Sequence, residues 1–169
     1  MQSNPALEPI GASVRRPDSR IQPMIKGECL CGTVEFEATS IIAPFELCHC
    51  RRCRTSTGSA YAAIVRVAVQ GFRFTWGKNR IRLFELAVVE RPPGYRRFFC
   101  DNCGAPVPNP NPTGEWVGVP AGCLKTSLGV VPDRHIYVEH KPDWDQIADG
   151  LPQLTGAEIR SLRGASHGA

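Results

Sequence analysis

The stretch CHCRRC, Cys48 to Cys53, sets three cysteines inside six residues, and three is the number that decides how the chain is read. A disulfide consumes two thiols and a closed zinc site consumes four. The other cysteines complete the arithmetic. Of eight in the chain, Cys29 and Cys31 form CLC, Cys100 and Cys103 form CDNC, and Cys123 stands alone. Thiols two or three positions apart on a turn can converge on one tetrahedral ion, whereas adjacent residues in extended chain point to opposite sides. The spacing favours a partition of four plus three. CLC with CDNC makes a closed, four-thiolate structural zinc that ties the first strand to the strand ending at Phe99. Its binding free energy would be on the order of 10–16 kcal/mol, comparable with the whole stability of a domain. Cys48, Cys50 and Cys53 are then the ligand set of a catalytic-type zinc whose fourth position is kept for water or a substrate.

Two other readings of the cysteines stay open. A C-x-x-C redox disulfide fits the spacing of CDNC or CRRC, but such a motif normally follows a strand in an α/β setting and needs one pair. A closed second site, with Cys123 or His49 as fourth ligand, would make both zincs structural. His49 is flanked by ligands and should face away from them, and Cys123 reads as a small buried hydrophobe.

The 169 residues suit one domain with tails. A hydrophobic fraction of 42% with 21% charged residues is that of a globular chain, which confines disorder to the ends. The net charge of +4 admits anionic small molecules as partners. It argues against nucleic acid, which calls for a stronger basic stripe. No apolar run reaches the roughly 20 residues of a membrane span. The first residues lack the features of a secretory signal, so a cytoplasmic location is expected, where clustered thiols bind metal more often than each other.

Short extended segments separated by Gly and Pro run through the middle of the chain: GTVEFEA, FELCHC, SAYAAIVRV, GFRFTW, RIRLFEL, YRRFFC, EWVGVPAG and RHIYVEH. They predict a mainly β single domain over residues 24–155, with flexible tails over 1–23 and 156–169. The one helix-like piece is KPDWDQIADGLP, with Asp143 as a cap. The proline-rich CGAPVPNPNPTGEW reads as a stiff irregular loop. Arg51, Arg52 and Arg54 surround the three-cysteine set. They are either a solvated basic loop or the partners of a carboxylate-bearing ligand. Thr55 to Gly58 reads as a polar turn or an anion nest. His135 and His140 read as structural.

The segments GECLCGTVEFE, CHCRRCRTSTGSAY, FFCDNCGAPV and VPAGCLKTSLGVVPDRHIYVEHKPDWDQIADGLPQ resemble the glutathione-dependent formaldehyde-activating enzyme family, which also includes centromere protein V. The likeness spans residues 24 to about 155. It implies an Mss4-like β fold, with Cys29, Cys31, Cys100 and Cys103 matching a structural zinc and Cys48, Cys50 and Cys53 matching a second, substrate-facing zinc. The activity it implies is carbon–sulfur bond chemistry, the condensation of glutathione with formaldehyde to S-(hydroxymethyl)glutathione. The alternative is a non-catalytic zinc-stapled module that binds a protein or a thiol. Either leaves the oligomeric state open.

Overall fold

The computed structural model describes residues 24–86 and 94–165. Every segment read as extended contains a strand. Three form one antiparallel sheet: β1 (Ile25–Glu28), β2 (Glu35–Ala38) and β5 (Phe72–Trp76), in the order β1-β2-β5. A six-stranded sheet is built from β3 (Ile41–Cys48), β4 (Ala62–Ala68), β8 (Asn109–Pro110), β9 (Trp116–Pro120), β10 (Arg134–Ile136) and β11 (Gln153–Leu154). Its order is β11-β10-β3-β4-β9-β8. The remaining strands, β6 (Ile81–Glu85) and β7 (Arg96–Cys100), pair as an antiparallel ribbon.

Side-chain alternation gives the central sheet two different faces. Phe45 and Leu47 of β3, Val65 and Val67 of β4, and Val117 and Val119 of β9 point one way. They pack against Ile25, Phe36 and Ala38 of the three-stranded sheet, which makes the main core. The opposite face carries Glu46, Cys48, Ala62, Ile64 and Gly118, the residues between these in the same registers. Phe45 to Cys48 are buried without a break, as expected of a central strand covered on both sides.

The second face is covered in part by α2 (Gly156–Ala165). This corrects the expectation of a flexible tail from residue 156. Ile159 is fully buried against Cys48 and Ile136, and the Arg163 guanidinium donates to Glu46 Oε2 at 2.9 Å. Thr155 and Glu158 close a capping box. Glu158 N–H donates to Thr155 Oγ1 at 3.3 Å, and Thr155 N–H donates to Glu158 Oε2 at 2.7 Å. The helix expected over 141–152 is absent, and only a turn forms at residues 143–144. There the Asp149 carboxylate takes the Leu151 N–H at 3.0 Å, a local bond that competes with helix. The expected N-terminal tail, 1–23, lies outside the described residues.

Candidate metal centre

The CLC and CDNC turns meet as a pair of knuckles. In the first, Gly32 N–H donates to Cys29 O at 3.0 Å; in the second, Gly104 N–H donates to Cys100 O at 2.9 Å. The sulfurs of Cys29, Cys31, Cys100 and Cys103 all lie within 4.8 Å of one another. Cys29 and Cys31 are 3.6 Å apart, and Cys31 and Cys100 are 3.9 Å apart. Zn–S bonds of ~2.3 Å in a tetrahedron separate sulfurs by about 3.8 Å, so the spacing fits that ion. N–H donors beside two of the sulfurs favour thiolate. Val34 N–H points at Cys29 Sγ at 3.2 Å and the Asn102 amide at Cys31 Sγ at 3.3 Å. The Asn102 bond, with help from Thr33, holds Cys31 down to about 5, while burial pushes Cys29 up to about 11.

Cys48, Cys50 and Cys53 form a second group, also within 4.8 Å. Cys48 ends β3. Cys50 caps α1 (Arg51–Thr57), its sulfur accepting from Cys53 N–H at 3.4 Å, and Cys53 sits in the first turn. This helix replaces the turn or nest expected over Thr55 to Gly58. Gly58, at φ 64°, supplies the left-handed residue that ends it, with its N–H bonded to Arg54 O. The three thiols share protons unequally. Contacts from Cys48 and Cys53 pull Cys50 down to about 2. The contact with Cys50 is the main cause raising Cys48 to about 12, and Cys53 is raised by both neighbours. A dication among them would supply the charge that lets all three ionise.

His49 faces away from this group, between two cysteines that face into it. Its Nε2 lies 2.8 Å from His135 Nδ1, and His135 Nε2 lies 2.9 Å from the Asp149 carboxylate. A carboxylate only accepts, so His135 donates from Nε2 and receives the His49 Nε2–H at Nδ1. His49 Nδ1 is left facing Asp145 Oδ2 at 3.7 Å, both of them buried without a hydrogen-bond partner. Burial lowers the His49 pKa. His140 is an exposed neighbour of Glu139.

Beside Cys53 a cavity of about 710 Å³ opens on the second face of the central sheet. Ala62, Ile64 and Gly118 form part of its wall, and Tyr95, Arg96, Arg97 and Phe98 of the β7 region form another. Tyr95 OH is 2.7 Å from Ser56 Oγ, Ser56 Oγ donates to Cys53 O at 3.0 Å, and Arg97 donates to Ser56 O. The strand that ends in Cys100 is thereby bonded to the helix that carries Cys53. None of Arg51, Arg52 and Arg54 lines this cavity. Arg51 and Arg52 are exposed on α1, and Arg54 Nε donates to His49 O at 3.2 Å. Cys123 belongs to neither sulfur group. It lines the cavity, its thiol donates to Pro106 O at 3.1 Å, and burial raises it to about 11.

The sequence pattern of the glutathione-dependent formaldehyde-activating enzyme family matches residues 24–140, the span that holds both sulfur groups and the cavity wall. The chain belongs to this family. A Halomonas elongata protein, named provisionally as a glutathione-dependent formaldehyde-activating enzyme, is 28% identical over 156 residues, 86% of this chain and 99% of its own length. A Rhodobacter sphaeroides protein of known crystal structure is 26% identical, with a TM-score of 0.47 over 63% of this chain and 97% of that one. For a member of the formaldehyde-activating family, Tyr95, Arg96 and Arg97 are the residues that reading by sequence passes over. YRRFFC looks like one more strand, and only the antiparallel return of β7 toward α1 brings its first residues to Cys53.

Proposed function

We propose that this protein is a two-zinc, carbon–sulfur lyase-type enzyme that joins a glutathione-like thiol to an aldehyde, with Cys29, Cys31, Cys100 and Cys103 holding a structural ion and Cys48, Cys50 and Cys53 an open one. One observation carries the reading: the three-thiol group is next to a large cavity, and Cys53 is part of that cavity's wall. A zinc ion on three thiolates supplies a fourth position at which a substrate thiol is stabilised as thiolate near neutral pH. The remaining work falls to the chain. Arg96 and Arg97 can receive the carboxylates of the tripeptide, and the apolar wall excludes water from the reacting sulfur. Confinement of both reactants removes the cost of their encounter. A reducing, cytoplasmic setting suits eight free thiols.

Exchange NMR at equilibrium between formaldehyde, glutathione and their adduct tests this directly. The zinc-loaded protein should speed exchange, and Cys50→Ser should abolish the effect while the fold persists by circular dichroism. Exchange no faster than in protein-free buffer would remove the enzymatic reading and leave a binding module.

A further inference from the structure

Under the proposed function the cavity beside Cys53 holds the thiol substrate as well as the aldehyde, and its lining is more apolar than glutathione and formaldehyde need. A two-heavy-atom aldehyde occupies on the order of two water-sized volumes of ~30 Å³ each, whereas 710 Å³ lies within the range of ~300–1,000 Å³ that holds whole drug-sized ligands. The lining is divided by chemistry. Polar groups cluster where β7 meets α1, with Ser56, Thr57, Tyr95, Arg96 and Arg97, and again at the Glu28–Lys125 pair, 2.9 Å apart. Apolar side chains make up much of the rest, Ile64, Phe98, Pro106, Val107, Trp116 and Leu124, with Asn109 and Asn111 also in the lining. Trp116 is held in place by the Arg66 guanidinium, 4.6 Å from its ring centre. That arginine is fixed by Glu46, which also binds Arg134 and Arg163.

Glutathione fills such a wall poorly. Its two carboxylates, ammonium and peptide groups each need a polar partner, and burial against hydrocarbon would leave them unsatisfied. The polar cluster near Cys53 suits the thiol substrate and leaves the apolar wall to the second reactant. Resting on the function proposed above, we infer that the aldehyde taken by this enzyme carries an apolar body of several carbons, seated along Ile64, Phe98 and Trp116 with its carbonyl toward Cys53. The chemistry balances without any redox partner. The thiolate sulfur forms a bond to the carbonyl carbon, the C=O π pair moves to oxygen, and the proton released by the thiol ends on that oxygen to give a hemithioacetal.

The test is a homologous series. With glutathione fixed, the catalysed exchange rate at low aldehyde concentration is read by NMR for formaldehyde, propanal, pentanal and heptanal. Each buried methylene should raise it roughly three- to fourfold until the cavity is filled. Calorimetry with unreactive primary alcohols of the same lengths, with no thiol present, should show the same increment in affinity. Gly118→Leu would place a side chain between Trp116 and Ile64, whose atoms lie 3.3 and 3.4 Å from where its Cβ would stand. It should lower the heptanal-to-formaldehyde ratio at least tenfold, and Phe98→Ala should lower it in the same direction if the first variant does not fold. A catalysed rate that is flat or falls with chain length, with formaldehyde fast, overturns the inference and leaves the proposed function standing. No catalysed exchange with any aldehyde overturns both. Alcohol affinities that do not grow with length show that the wall does not take an apolar chain, whatever the rates.

Discussion

Arg97 of β7 lines the cavity and bonds Ser56 O, whereas Arg51 of α1 is exposed and lies outside the cavity lining. Arg97→Ala should therefore weaken glutathione binding by about 1.5–3 kcal/mol, the range for hydrogen bonds to charged groups. Arg51→Ala should stay within about 0.5 kcal/mol, both read by calorimetry at constant zinc content. A pH effect belongs to Asp149. Its hydrogen bond from His135 is the chief cause holding its carboxyl below the ordinary 3.8. A depressed carboxyl contributes stability that is present above its ordinary value and is lost as pH falls through the lowered one. Wild type should be more stable than Asp149→Asn at neutral pH, and in denaturant melts the difference should shrink to nothing as pH falls below the lowered value. A constant difference across that range would mean that the Asp149 charge is not involved.

At the scale of elements, α2 is the piece that changes how the site is built, because Ile159 covers Cys48 from above the sheet. Ile159→Ala should cost about 2–5 kcal/mol and raise amide exchange in α2 and at the end of β3. Thr155→Ala, which removes the cap, should cost about 1 kcal/mol. Glu158 is held below its ordinary carboxyl value by Thr155, so the benefit of the capping box should fade as pH falls through that lowered value. The signal for this helix was in the sequence: TGAE, residues 155–158, is a Thr-x-x-Glu box ahead of Ile159. A shortage of large apolar residues hid it, since Ile159 is the only large side chain of α2 that is buried among the described residues. The strands were legible because alternation and Gly/Pro punctuation are local. β1, β8 and β11 were not, being two to four residues long and defined by their partners rather than by their own pattern. The grouping of seven cysteines into four and three could be read from spacing, because thiols a few positions apart converge on turns, and turns are short in sequence. The arginines could not. Arg51, Arg52 and Arg54 are nearest along the chain, but Arg96 and Arg97 are the arginines that line the cavity.

For the whole molecule, the two sulfur groups do different mechanical jobs. Cys29 and Cys31 follow β1 and Cys100 ends β7, so the four-thiol group joins the three-stranded sheet to the β6–β7 ribbon. Cys100→Ser should cost the folded state itself, seen as loss of a cooperative thermal transition, whereas Cys50→Ser should keep that transition and one zinc per chain. The proposed function requires a second ion with a position that the protein leaves free. X-ray absorption at the zinc edge counts its sulfur neighbours. Fully loaded protein should show about 3.5 sulfurs per zinc on average, one site with four and one with three, rising to about 4 when glutathione is added. An average of 4 before any thiol is added, unchanged by glutathione, would mean that the chain closes both sites itself, and would contradict the account.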